Sequence, residues 1–206
     1  MDAATASNIL RPDMEIIASW VKPEKQVLDL GCGRGDLLEH LMRTKKITGY
    51  GLEIEAQAIT ECITKGINVI EQDLDKGLSN FKDNSVDTII MTQALQAVKR
   101  PDELLDEMLR IGKDAIITFP NFGHWSCRFY LMFKGRMPMS KTLPYGWYDT
   151  PNIHMCTFTD FEALCHQKGI RILNRTVVND QHEASLASRV WPNMMGRIAI
   201  YHITRR

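Results

Sequence analysis

Apolar residues along this chain alternate between short unbroken runs and stretches spaced by three and four. Met14, Ile17 and Val21 fall on one side of a helical pattern that opens at Arg11-Pro12-Asp13 and stops at Pro23. Val27-Leu28-Asp29-Leu30 is an apolar run ended by glycines, which predicts a buried strand. Leu37, Leu38, Leu41 and Met42 return to helical spacing over 36–42. A second strand over 47–54 and a helix over 55–65, closed by Gly66, follow. Strands are then expected at 67–71 and 86–91, the latter after the turn signal Lys82-Asp83-Asn84-Ser85. Leu104, Leu105, Met108 and Leu109 mark a helix over 102–111 with Gly112 at its end, and Pro120 stops a fifth strand over 115–119. After an irregular stretch, Thr159 and Glu162 read as a capping box opening a helix over 159–168, which Gly169 ends. Residues 170–178 and 197–204 alternate like two further strands.

Repeated strand–helix units followed by a strand pair imply an α/β fold. Its sheet should have seven strands, mostly parallel, with helices on both faces and an antiparallel hairpin at the C-terminal side. The chain has 206 residues, and 1–206 is expected to be a single domain. Its 44% hydrophobic and 24% charged content suits a soluble globular protein and excludes a disordered one. Lys and Arg number 25, as do Asp and Glu, so the net charge is zero. That removes the overall electrostatic footprint of a nucleic-acid binder. No run approaches the ~18 apolar residues of a membrane span, and residues 1–11 lack the pattern of a secretory signal. No membrane partner and a cytoplasmic location are therefore expected. The five cysteines (Cys32, Cys62, Cys127, Cys156, Cys165) include no C-x-x-C pair, so no metal or dithiol site is expected and most should be small buried hydrophobes.

In an open α/β sheet the ligand crevice lies at the carboxyl ends of the strands. The first carries Asp29-Leu30-Gly31-Cys32-Gly33-Arg34-Gly35-Asp36. Glycines at alternate positions let the backbone turn sharply and approach a ligand. A dinucleotide fingerprint would need G-x-G-x-x-G, but Asp36 stands at the third glycine position, where an anion would host pyrophosphate poorly. The second strand ends in Gly51-Leu52-Glu53, and an ionised carboxylate there can accept from both hydroxyls of a ribose. Gln72-Asp73-Leu74 follows the third strand and offers an acceptor beside an apolar residue, suited to the edge and face of an adenine. Taken singly, Glu53 and Asp73 are equally helix caps.

Together the glycine loop, Glu53 and Asp73 resemble the Rossmann-like class I S-adenosylmethionine-dependent methyltransferase fold. The resemblance implies that Asp29, Gly31, Cys32, Gly33 and Gly35 lie under the methionine part of an S-adenosylmethionine or S-adenosylhomocysteine ligand. Glu53 would hold the ribose and Asp73 with Leu74 the adenine, with Gln93 a further candidate. Arg34 departs from the small or acidic residue that many such loops carry. Phe119-Pro120-Asn121-Phe122-Gly123-His124-Trp125, Gly135-Arg136-Met137-Pro138 and the run from Leu143 to His154 narrow the likeness to the methionine-biosynthesis family MetW. Membership implies a partner, the homoserine O-acyltransferase MetX, which this chain would support by forming a complex. The alternative is a methyltransferase acting on a small-molecule acceptor.

Residues 119–161 hold 11 of the 16 aromatics, and from Asn121 to Tyr148 no acidic residue occurs beside Arg128, Lys134, Arg136 and Lys141. Trp125, Phe129, Met132 and Phe133 stand at helical spacing. This segment, 121–157 after the fifth strand, can be a cap closing the core, a surface for a protein partner, or a pocket for an acidic substrate. His124, Tyr148 and His154 are the candidates for an acid or base by location and chemistry, with a hydrogen-bonded structural role the commoner reading of each. The Asn-Pro-Pro-aromatic motif of amino-group methyltransferases is absent after the fourth strand, which leads into Thr92-Gln93-Ala94, so no catalytic residue is assigned.

Overall fold

Seven strands form one sheet in the order β3-β2-β1-β4-β5-β7-β6. In chain order the elements are α1 (Pro12–Trp20), β1 (Gln26–Leu30), α2 (Asp36–Lys45), β2 (Thr48–Glu53), α3 (Ala56–Thr64), β3 (Val69–Glu71) and β4 (Val86–Thr92). They continue with α4 (Pro101–Ile111), β5 (Gly112–Pro120), α5 (Trp125–Lys134), α6 (Phe158–Gln167), β6 (Ile170–Val178), α7 (Pro192–Met195) and β7 (Ile198–Arg205). This computed structural model describes residues 11–140, 143–179 and 190–205. Lys141, one of the basic residues of the aromatic segment, lies outside the described residues.

β3, β2, β1, β4 and β5 are parallel, and β7 enters antiparallel between β5 and β6. The order reverses at β1, which pairs with β2 on one side and β4 on the other. Consecutive residues feed opposite faces of the sheet, as the period of two demands. Ile90, Ile116 and Ile200 join α1, α2 and Cys62 of α3 in one buried cluster. Ile89, Ile117 and Tyr201 join α4 and α6 in the other. Runs buried on both faces are why β1 and β4 read as continuous apolar stretches.

Among the boundaries that differ from the hydrophobic pattern, two have a plain physical reason. β5 begins at Gly112, whose φ of −102° is extended. The residue expected to close α4 instead continues directly into the strand, pairing with Val86. The capping box of α6 is Thr157 with Asp160, not Thr159 with Glu162. The Thr157 hydroxyl accepts from the Asp160 amide at 3.2 Å, and Asp160 Oδ2 accepts from the Thr157 amide at 3.1 Å. Starting the helix at Phe158 lets that ring join Phe161 and Cys165 in the core. Thr159 then turns outward and accepts from Asn193 Nδ2 at 3.0 Å, while Glu162 accepts from the Tyr201 hydroxyl at 2.9 Å. Burial, and next the Glu162 charge, push the Tyr201 phenol up, so it serves as a donor.

Candidate functional site

The loop between β1 and α2 is bent by Gly31, Gly33 and Gly35, with φ of +70°, +54° and +74°. The Gly31 and Cys32 amides both donate to the Leu52 carbonyl, at 2.8 and 3.0 Å, and so fasten the loop to β2. Gly35 has a second constraint, since a Cβ there would lie 2.5 Å from Ile67 Cδ1 and 3.0 Å from Cys62 Sγ. Gly51 is needed for the same loop: its Cβ would fall 2.2 Å from Cys32 Sγ. Cys32 therefore packs in the space Gly51 leaves, 4.0 Å from Cys62, whose thiol meets the Gly33 carbonyl at 3.2 Å. Burial pushes both thiols up, which makes them packing residues rather than nucleophiles.

Glu53 is the hub of this end of the sheet. Its Oε2 accepts from the Gly33 amide at 2.7 Å, and its Oε1 accepts from the Ile54 and Glu55 amides at 2.7 and 3.0 Å. Three of the roughly four lone-pair sites of a carboxylate are thereby used. A ribose would take the remaining capacity or replace the Gly33 amide. Asp29 lies in β1 between Gly51 and Ile90 and is only 1% exposed. Burial first, and the Glu53 charge second, push its carboxyl up to about 7. Its Oδ1 has no hydrogen-bond partner among the described residues.

Asp73 caps the short 3-10 turn Leu74–Lys76 by accepting from the Asp75 amide at 3.0 Å. Leu74 packs against the core, which fixes an apolar surface beside that carboxylate. Gln93 follows β4 with φ +51°, a conformation uncommon outside glycine. Its amide donates to the Thr118 carbonyl at 2.9 Å and its carbonyl accepts from Gln96 Nε2 at 2.6 Å.

A cavity of about 520 Å³ opens where these groups meet. Gly31, Glu53, Asp73, Leu74 and Gln93 line it, and Pro151 reaches it from the aromatic segment. Asp29, Cys32, Gly33 and Gly35 do not line the cavity; Gly33 bonds the Glu53 that does, and Cys32 and Gly35 hold the loop's backbone. Its described lining carries Glu53, Glu55, Asp73 and Asp75 and no Lys, Arg or His. Asp36 is not the deterrent to pyrophosphate that the sequence suggests, because Lys65 pairs with it; the acidic lining is. Arg34 likewise pairs with Glu61 at 3.3 Å. Hydroxyl acceptors, an apolar shelf and a negative lining fit a nucleoside bearing a cationic group, as S-adenosylmethionine does.

The structure does not gather the candidate acids and bases here. His124 is buried and caps α5, its Nδ1 accepting from the Ser126 amide at 3.2 Å. Tyr148 is exposed against Trp147, with ring centroids 5.7 Å apart. His154 Nε2 lies 3.2 Å from the Lys99 carbonyl. None of the three lines the cavity. Sequence reasoning missed Gln96 and Pro151. The Ile153 and His154 amides donate to the Gln96 carbonyl at 2.8 and 3.0 Å, which draws the end of the aromatic segment over the cavity. No local spacing signals a contact between residues so far apart.

The aromatic segment divides. Phe119, Phe158 and Phe161 are core residues around Tyr201, whereas Trp125, Phe129, Tyr130, Phe133, Tyr145, Trp147 and Tyr148 are exposed. A cap that buries its own aromatics is therefore not what residues 121–157 form. Among the described residues no cluster of His, Cys, Asp and Glu is placed to hold a metal, and no helix is long and apolar enough to cross a membrane.

Comparison with known proteins agrees with this geometry. The family described as "Methionine biosynthesis protein MetW" matches residues 11–203. A relative from Rhodopirellula baltica, described as "Bifunctional methionine biosynthesis protein MetXA/MetW", is 36% identical over 172 residues. That match takes in 79% of this chain but 28% of the relative's length. A methyltransferase of Archaeoglobus fulgidus dependent on S-adenosylmethionine superposes with a TM-score of 0.66 at 17% identity, covering 93% of this chain and 94% of that one. One from Mesorhizobium loti gives 0.65 at 15% identity, covering 94% and 98%. The [4+2]-cyclase SpnF gives 0.65 at 15% identity, covering 93% and 80%. The shared architecture thus serves more than one chemistry.

Proposed function

The chain belongs to the MetW family of methionine biosynthesis proteins, and from that premise we propose that it supports homoserine O-acylation by forming a complex with the acyltransferase MetX. The observation that carries this reading is the Rhodopirellula relative, in which MetXA and MetW share one polypeptide. Fusion fixes two activities at high effective concentration, and separate chains achieve the same by association. The cavity would hold S-adenosylmethionine or S-adenosylhomocysteine, with Glu53 accepting from the ribose and Asp73 and Leu74 at the adenine. Bound there, S-adenosylmethionine would supply a methyl group on a sulfonium.

What this chain's own residues provide is mainly binding. The cavity lining offers acceptors and shape but no histidine, lysine or tyrosine to relay a proton. Its ionisable side chains are carboxylates, and three of them are already engaged: Glu53 accepts from three backbone amides, Asp73 from one, and Asp75 from the Lys99 amide. The test is the rate of homoserine acylation by the cognate acyltransferase with and without this protein, with no S-adenosyl compound added. A clear rise is expected. An unchanged rate with a folded partner would refute the reading, and methylated product from labelled S-adenosylmethionine in cell extract would put the methyltransferase alternative in its place.

A further inference from the structure

α5 has ten residues, and Cys127 is the one buried side chain it contributes. Trp125, Phe129, Leu131, Met132 and Phe133 all face water, Met132 at 64% and Phe133 at 74% exposure. Phe129 stacks on Phe133 with centroids 5.8 Å apart and planes 6° off parallel, and Trp125 meets Phe129 edge-on at 6.2 Å. The three rings make a continuous ridge. It is held rather than loose: His124 caps one end, Gly135 closes the other in the left-handed conformation, and Arg128 Nε donates to the Gly123 carbonyl at 2.6 Å. Beside it runs a groove of about 700 Å³, lined by Tyr130, Arg136, Met137, Met139, Trp147 and Tyr148 among others. Exposed apolar surface on this scale marks an interaction site.

We propose that α5 and the groove beside it are the face on which the homoserine O-acyltransferase docks, through an apolar groove of its own rimmed by carboxylates. This rests on the functional reading above and adds which surface is used and what it recognises. Residues 121–148 contain no acidic side chain and Asp149 is the one acid in the groove's described lining, while Lys134 and Arg136 stand exposed at the end of the ridge. Trp, Tyr, Met and Arg are the residue types that interface cores favour. A second copy of this chain fits poorly, because a twofold contact pairs this surface with itself and offers only Asp149 of the groove to meet Lys134 and Arg136. A lipid surface also fits poorly. A helix lying in the headgroups needs a cationic polar face, whereas α5 has Arg128 and Lys134, the first of them bonded to Gly123. Two residues beyond the groove's Asp149, Pro151 lines the cavity, and the Ile153 and His154 amides donate to the Gln96 carbonyl. A partner seated there would thus touch the wall of the candidate ligand site.

The experiment titrates the full-length protein into the purified cognate acyltransferase by calorimetry, for wild type, Phe133→Glu, Met132→Glu and the pair Lys134→Glu with Arg136→Glu. These side chains are exposed, so melting temperatures should match wild type. Association should weaken about tenfold or more for each single variant. The charge-reversed pair should weaken it comparably, and wild-type affinity should fall with added salt. Wild-type binding with unaltered affinity in all three variants would overturn the docking face and leave the proposed function standing. No complex with wild type would overturn both. The same proteins in sedimentation velocity and with phosphatidylglycerol vesicles test the other occupants. Loss of self-association or of vesicle binding in the variants, with acyltransferase affinity intact, would overturn the proposal in favour of a second copy or a membrane.

Discussion

The carboxyl of Asp29 offers a measurable consequence of burying an acid at this end of the sheet. An ordinary aspartate titrates at 3.8, and burial with the nearby Glu53 charge raises this one to about 7. Between those values the native carboxyl keeps a proton that the unfolded chain has lost. Unfolding then releases a proton, and stability must fall as pH rises from about 4 to about 7, levelling off above. The full difference corresponds to about 4 kcal/mol, at a limiting slope of ~1.4 kcal/mol per pH unit. Asp29→Asn removes the titration and keeps the size. Urea unfolding of both proteins at intervals from pH 5 to pH 8 isolates it, because every other group is common to the two. Asp87, held down first by its hydrogen bond to Lys113, and Glu107, held down first by Arg110, contribute stability lost below their usual carboxylate range and cancel in the difference. The variant should gain on wild type steadily from pH 5 to pH 7. Any cost of seating the amide is an offset, not a slope. Parallel curves over that interval would show that Asp29 ionises normally and that the argument from its burial is wrong.

Gly33→Leu separates ligand binding from folding: a Cβ there meets nothing within 4 Å, so the φ of +54° should cost about 1–2 kcal/mol. S-adenosylhomocysteine should lose its thermal stabilisation of this variant, and retained stabilisation would remove Gly33 from the site. Gly51→Ala should destabilise by about 1–3 kcal/mol through overpacking against Cys32, read by urea midpoint; wild-type stability would mean that the loop has room to shift. Thr157→Ala should cost about 1 kcal/mol through the lost α6 cap, whereas Thr159→Ala should stay within about 0.5 kcal/mol, and equal losses would contradict the observed box.

The period of the hydrophobic pattern is what made the sheet legible. Leu28 and Leu30 feed one face and Val27 the other, so β1 had to be central. The capping box was misplaced by two residues because Thr157 and Thr159 both precede an acid at the right distance, and burial of Phe158 decides between them. Glu53 was legible as an acceptor, but its existing bonds to three amides were not, since Gly33 approaches it only after β1 and β2 pair. Gln93 and Leu74 line the cavity. The exposed ridge was the least legible feature. Phe129 and Phe133 stand at helical spacing just as Phe158 and Phe161 do; one pair faces water and the other fills the core. Periodicity identifies a shared face but not what covers it.

The position of β7 has a consequence for synthesis. Residues 198–205 lie between β5 and β6, pairing Phe119 with Ala199 and Val177 with the same residue. As the chain leaves the ribosome, 115–119 and 170–178 emerge well before the strand that separates them. At 5–20 residues per second, β5 must wait about 4–16 s with an apolar edge open. Once 170–178 have emerged, β6 is a competing, wrongly placed neighbour until 198–205 follow. A chaperone that shields the β5 edge would therefore raise the yield of correctly threaded sheet, more than one acting at the glycine loop.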